Sequence, residues 1–310
     1  MSFQRVAIIG LGLLGGSIGL AVRHYLPGVT TTGFDADPAT RARAAERGLV
    51  NRVCESGADA VREAELVIFC VPVGAMSAAA VGLADALPAG VLISDVGSSK
   101  QTVAKALADA LPGHAVIPAH PVAGTENSGP DAGFPSLFQK RWCIITPPDD
   151  ANPLLLTDLV QFWEALGANV ELMSAQHHDL VLAVTSHLPH LIAYTIVGTA
   201  SDLEEVTRSE VIKYSAGGFR DFTRIAASDP VMWRDVFLSN KDAVLEMLQR
   251  FTEDLTELQK AIRKDDGDAL FDHFTRTRAI RRSIIEQGQD VAGPDFGRSD
   301  HAEKTDPSLS

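Results

Sequence analysis

Short apolar runs recur through the first half of the chain, at Val6 to Ile9, Thr31 to Phe34, Leu66 to Val71, Val91 to Asp95, Ala115 to Pro118 and Trp142 to Thr146, with helical spacing between most of them. A strand covered on both faces reads as an almost continuous apolar run, and parallel neighbours must be joined by crossovers. The pattern therefore predicts an open, doubly wound α/β sheet of parallel strands. Local chemistry marks some boundaries: Asp37 before Pro38 is an N-cap followed by a first-turn proline, and Gly48 ends the same helix. Beyond about Ser174 no further strand pattern occurs, and helical periodicity covers Ala175 to Ala200, Pro230 to Ile262 and Asp266 to Glu286. Within it, Val231 to Leu258 is apolar on more than one stripe. The pattern alone leaves open whether this helix is wholly internal or packs on two neighbours, a second subunit among them. The expected organisation is a sheet domain over residues 1–173, an all-helical domain over 174–289, and a mobile tail over 290–310, rich in Gly, Pro, Ser and charge.

A chain of 310 residues is long enough for two domains of about 150 residues each. The net charge of -13 argues against a nucleic-acid surface or an anionic membrane, which need a sustained basic face, so any anionic ligand must meet locally clustered cations. Cys54, Cys70 and Cys143 lie far apart without metal-ligand spacing and read as reduced, mostly buried thiols of a cytosolic protein; no metal is expected. The start lacks the sections of a signal peptide, and nowhere do about 18 apolar residues run uninterrupted, so neither secretion nor a membrane span is expected and the expected location is cytoplasmic.

Gly10-Leu11-Gly12-Leu13-Leu14-Gly15 follows the first strand and opens a helix, and Asp35 ends the second strand twenty residues beyond Gly15. Gly10 permits a tight turn, Gly12 lets the backbone approach a pyrophosphate, and Gly15 allows close helix packing, while the helix N-terminus offers free amides. In that context the motif predicts a Rossmann-like dinucleotide site, with Leu13, Leu14, Val71, Pro72 and Ser98 also placed at the cofactor. Asp35 would accept bonds from the adenosine ribose and repel a 2'-phosphate, favouring NAD over NADP. Arg41 and Arg43 lie close enough to compensate a phosphate or to form the solvated face of a helix.

The fourth strand leads into Ser98 and the fifth into His120, both after carboxyl ends of predicted strands, the edge that faces the ligand crevice. A histidine there can take a proton from an alcohol as hydride leaves its carbon, or merely cap a loop. His187 and His190 share a helical face without a third ligand, which gives no metal site. Arg220, Arg224 and Lys213 are the local cations. An arginine holds a carboxylate bidentately, but Asp221, Asp229 and Asp235 are close enough to claim one in an ion pair; Arg224 is the ligand choice and Arg220 the structural one.

The ordered runs His120-Pro121-Val122-Ala123-Gly124-Thr125-Glu126, Thr185-Ser186-His187-Leu188-Pro189-His190, Gly217-Gly218-Phe219-Arg220-Asp221-Phe222-Thr223-Arg224-Ile225-Ala226 and Asp229-Pro230-Val231-Met232-Trp233-Arg234-Asp235 resemble the prephenate and arogenate dehydrogenases, from about Phe3 to about Glu286. The resemblance implies a nucleotide-binding domain, a helical dimerisation domain, a homodimer and an active site between the domains. It implies His120 as the catalytic histidine on the ring hydroxyl, Ser98 as its partner near nicotinamide, and Arg224 as the carboxylate ligand. Glu126, Thr125, His178, His187, His190, Asp221 and Trp233 are implied around the substrate. The implied reaction passes hydride to NAD or NADP and releases the ring carboxylate as CO2 on the route to tyrosine, which can itself bind at the active site. The choice between prephenate and arogenate stays open. A chain ending this soon after Glu286 is not expected to hold the extra amino-acid-binding domain of some relatives, nor a fused mutase. A hydroxyacid dehydrogenase would carry a helical lysine after the glycine pair, where Gly217-Gly218 is followed by Phe219-Arg220 instead; a dinucleotide-binding regulatory protein is the rival without chemistry.

Overall fold

The computed structural model describes residues 2–125, 127–202 and 217–286; Glu126, Lys213 and the 290–310 segment lie outside the described residues. The chain divides into two compact units, one gathering residues up to 202 with 223–247, the other 217–222 with 248–286.

In the first unit, strands β1 (Arg5–Ile9), β2 (Thr30–Phe34), β3 (Arg52–Val53), β4 (Leu66–Phe69), β5 (Leu92–Asp95) and β6 (Ala115–Val116) form one parallel sheet in the order β3-β2-β1-β4-β5-β6. The order reverses between β1 and β4, and ligands of such sheets bind beyond the strand carboxyl ends at that point. Helices α1 (Leu13–Tyr25), α2 (Pro38–Arg47), α3 (Gly57–Val61), α4 (Met76–Val81) and α5 (Gln101–Ala110) are the crossovers. Two apolar clusters cover the faces, one around Ile8, Ile18 and Leu66, the other around Val67, Phe69 and Met76, which is why these strands read as continuous apolar runs. Asp37 caps α2 by accepting from the amides of Ala39 and Thr40, and Gly48 closes it at φ 58°.

Trp142 to Thr146 is not a strand of that sheet. The chain leaves β6, passes Pro118, and forms a second sheet of β7 (Ala119–Pro121), β8 (Trp142–Ile145) and β9 (Asn169–Leu172), with β7–β8 antiparallel and β8–β9 parallel. Proline has no amide for the ladder, so strand pairing with β5 stops there. Side chains replace it: Asp95 Oδ1 accepts from the Ala119 amide at 3.3 Å, and Lys100 Nζ donates to the Ala119 carbonyl at 2.6 Å. His120 thus lies within a strand rather than in a loop after one. Helix α6 (Pro153–Ala165), capped by Asn152, buries Phe162 and Trp163 beneath this sheet.

The helix from Ala175 to Ser201 comprises α7 (Ala175–Leu182), a π turn (Ala183–His187) and α8 (Leu188–Ser201). Pro189 cannot supply an amide, and the Leu188 amide reaches back five residues to the Ala183 carbonyl. By length and composition alone this helix could cross a membrane, with mean hydropathy 1.6 in its most apolar window, although polar residues interrupt it and no uninterrupted apolar run of about 18 residues occurs in it. Its buried His178, Asp179 and His187 bond to other elements of the same unit, so its first half is tied into the protein by polar contacts. After α9 (Gly217–Thr223), the single helix expected from Pro230 to Ile262 is two, α10 (Pro230–Ser239) and α11 (Lys241–Arg263), broken at Asn240; α12 (Gly267–Glu286) follows. Asn240 is buried because its amide donates to the Asp179 carbonyl at 2.8 Å and pairs with His187 Nδ1 at 3.1 Å.

Candidate active site

The glycine turn has the backbone that the motif requires. Gly10 has φ 102°, and a Cβ there would press on the Cys70 carbonyl and lie 3.2 Å from Val71 Cγ1; a Cβ on Gly15 would overlap the Gly10 carbonyl. Gly12 faces open space, with nothing within 4 Å of where its Cβ would stand. No side chain caps α1, so its first amides, Leu13 and Leu14 among them, are offered to an anion. Asp35 Oδ2 accepts from the Leu11 amide at 2.8 Å and Oδ1 from the Asp37 amide at 3.0 Å, leaving each oxygen acceptor capacity. Val71 and Pro72 follow β4 beside this turn. The residues present fit a bound dinucleotide.

At the carboxyl end of β5 lies a buried polar assembly. Asp95 and Lys100, both fully buried, pair at 2.5 Å. Burial draws Lys100 down from its ordinary value and Asp95 up, each opposed by the other's charge. The Gly97 amide donates to Asp95 Oδ2 at 2.7 Å. His120, 8% exposed, has Nδ1 2.8 Å from Nε2 of His178, and His178 Nδ1 lies 2.8 Å from Asp179 Oδ1. Asp179 also accepts from the Lys100 amide at 2.6 Å and the Gln101 amide at 2.9 Å, capping α5 from another element. Burial, then the neighbouring His178, Lys100 and His187, hold His120 well below the usual histidine range, so it is neutral near pH 7.

From Asp179 the assembly continues through Asn240 to His187, which is fully buried and drawn down to about 4 by burial. Among the described residues its Nε2 has no hydrogen-bond partner in bonding geometry, with the Ser98 backbone beside it. Trp233, 7% exposed, stacks on His190 at 3.6 Å, and its indole nitrogen likewise has no hydrogen-bond partner among the described residues. His190 Nδ1 donates to the Ser186 carbonyl at 2.8 Å. Arg224, exposed at the start of the short turn Arg224–Ala227, lies near enough to depress His190 further, after burial.

Two comparisons decide the family. Matches to the family descriptions "Prephenate dehydrogenase, nucleotide-binding domain" and "Prephenate dehydrogenase, dimerization domain" cover residues 18–172 and 174–276. A cyclohexadienyl dehydrogenase of Zymomonas mobilis is 46% identical over 91% of this chain and 96% of its own length. The chain belongs to the prephenate dehydrogenase family. A prephenate dehydrogenase of Bacillus subtilis is 33% identical over 90% of this chain and 76% of its own length. The crystal structure of the Aquifex aeolicus prephenate dehydrogenase, in complex with hydroxyphenyl propionate and NAD+, superposes with a TM-score of 0.85 at 32% identity, covering 92% of this chain and 99% of that one.

For this prephenate dehydrogenase family chain, the structure brings His120, Ser98, His178, His187, His190, Trp233 and Arg224 into one unit. His178, expected at the substrate, is fully buried behind His120. Thr125 is exposed, its hydroxyl accepting from the Asn127 amide at 3.2 Å. Asp221 belongs to the second unit, where Arg220 Nε approaches it at 3.8 Å. Asp95, Lys100, Asp179 and Asn240 went unread in the sequence. Their signals were charges at a strand end and single polar residues inside apolar helical patterns.

Proposed function

We propose that the protein oxidises and decarboxylates prephenate or arogenate, passing hydride to a nicotinamide dinucleotide, in tyrosine biosynthesis. The observation that carries this reading is His120: buried but not sealed, neutral, and held at the carboxyl edge of a dinucleotide-binding sheet. The cofactor, when bound, supplies the hydride acceptor. The protein orients the ring, and His120 receives the hydroxyl proton at Nε2. Loss of the ring carboxylate then makes the ring aromatic, which supplies driving force. Ser98 stands beside His187 at the cofactor edge, and Arg224 grips a substrate carboxylate. A domain boundary near residue 173 is part of this reading; family matches that end at residue 172 and begin again at 174 support it, while the two compact units of the fold divide the chain elsewhere.

Absorbance at 340 nm, with prephenate and arogenate each offered with NAD+ and NADP+, tests the whole reading; no reduction in any of the four combinations with folded protein would overturn it. Arg224→Ala is expected to raise KM roughly 10- to 100-fold, the worth of one charge-assisted contact, with a smaller change in kcat. An unchanged KM would place the carboxylate elsewhere.

NAD+ is the preferred cofactor under this reading. Arg41 donates to the carbonyls of Asp35 and Ala36 and packs over Phe34, and Arg43 is bound to Asp131 and Glu46, so both are engaged while Asp35 presents a negative charge. A 2'-phosphate there meets a like charge, a cost of several kcal/mol. The ratio of kcat/KM for NAD+ over NADP+ is expected to exceed about tenfold and to shrink in Asp35→Ser; a wild-type preference for NADP+ would refute the assignment.

The working state is a homodimer. Val184, Ile196 and Val197 in the first unit, and Phe271, Phe274 and Ile280 in the second, are exposed apolar side chains that a second copy would cover. The three cysteines are free, in keeping with a cytoplasmic protein. Tyrosine competes at the same site under this reading.

A further inference from the structure

We propose that Asp179, acting through His178, locks His120 in the tautomer that carries its proton on Nδ1 and leaves Nε2 bare, so that Asp179 and His178 are positioning residues for proton removal rather than parts of the pocket wall. Its catalytic meaning rests on His120 being the proton acceptor; the tautomer itself does not depend on that reading.

The argument is one of donors and acceptors taken in order. Asp179 accepts from the Lys100 amide, the Gln101 amide and, at 3.4 Å, the Gln101 side chain, all at the positive end of α5. A carboxylate so placed stays ionised, and its pKa lies below the ordinary aspartate value. An ionised carboxylate only accepts, so His178 Nδ1, 2.8 Å from Oδ1, must carry the hydrogen. Burial keeps His178 neutral despite that carboxylate, which leaves its Nε2 as a lone pair. Opposite that lone pair, at 2.8 Å, stands His120 Nδ1, which must donate. The other tautomer would set two lone pairs against each other at 2.8 Å between two buried rings. His120 Nε2 is therefore the nitrogen left to accept a proton.

The remaining charged and titratable groups about the two rings are Lys100, Asp95, His187 and Cys143. None of them forms a hydrogen bond with His120 Nδ1 among the described residues, so His178 alone sets the tautomer. The link joins residues 58 positions apart and depends on α7 docking against the start of α5.

The direct test needs neither substrate nor a disruptive variant. Nitrogen-15 NMR of the histidine rings of the wild-type protein, assigned with His120→Gln and His178→Gln, is expected to show a protonated Nδ1 and a bare Nε2 on both rings near neutral pH. A protonated Nε2 on neutral His120 would overturn the proposal. In kinetics, His178→Leu is expected to lower kcat at least roughly tenfold, and by up to about 10⁴-fold, the cost of losing an orienting partner, with cofactor KM unchanged. His178→Gln, whose carbonyl can accept from Nδ1, is expected to restore a large part of that loss. Equal kcat in the wild type, His178→Leu and His178→Gln would also overturn it. An enzyme inactive on all four substrate and cofactor combinations yet showing the stated tautomer would instead remove the functional reading and leave this one standing.

Discussion

Replacing His120 with asparagine is expected to lower kcat and kcat/KM together by about 10²- to 10⁴-fold, the usual worth of a positioned general base. Asparagine is smaller, but its amide nitrogen stands near the place of Nδ1 and can still donate to His178, so β7 is expected to keep its place. What is lost is the proton acceptor, and an interaction used only in the transition state shows in kcat rather than in KM. The pH profile gives a second reading of the same residue. A base works when unprotonated, and His120 has its pKa pulled well below 6.5, so the acid limb of kcat/KM is expected below about pH 6.5. Steady-state rates across pH for wild type and variant check both statements. Undiminished turnover in the variant would remove His120 as the base.

Lys100→Met is expected to destabilise the protein by about 3–5 kcal/mol, because it strands the Asp95 carboxylate without its counter-charge in a site with no exposure. The same change removes the donor to the Ala119 carbonyl, one of the two bonds that replace strand pairing beside His120. In Asp95→Asn/Lys100→Met the buried charge is gone, and a large part of the loss is expected to return. Denaturant unfolding of the two singles and the double measures this directly; a Lys100→Met cost below about 1 kcal/mol would show the pair to be structurally idle. The lysine cation also depresses His120, so its removal from the folded enzyme is expected to move the acid limb of kcat/KM to higher pH.

The glycine turn, Asp35, the cap at Asp37 and the strands of the parallel sheet were legible along the chain because each depends on neighbours within a few turns. Val6 to Ile9 must be a buried strand whatever surrounds it, and the helix after Gly12 presents free amides by its own geometry. The errors are equally physical. Trp142 to Ile145 has the apolar pattern of any interior strand, and only Pro118, with the side chains of Asp95 and Lys100 capturing Ala119, sends it to a second sheet. The apolar run from Val231 to Leu258 says nothing of a break at Asn240, which exists because a buried amide found partners on α7 and in the π turn. The family resemblance implied His178 at the substrate, and nothing along the chain showed its place behind His120.

The sequence by itself determined the fold class and the cofactor turn, since these follow from periodicity and backbone freedom that act locally; it offered His120 as a base or a loop cap, and the choice of base came from the family resemblance. Only the tertiary structure decided which donor meets which acceptor: Asp179 with His178, His178 with His120, Lys100 with Asp95 and Ala119. Hydrogen bonds in a buried site are satisfied by whatever packing brings within about 3 Å, and that distance is set by the docking of separate elements.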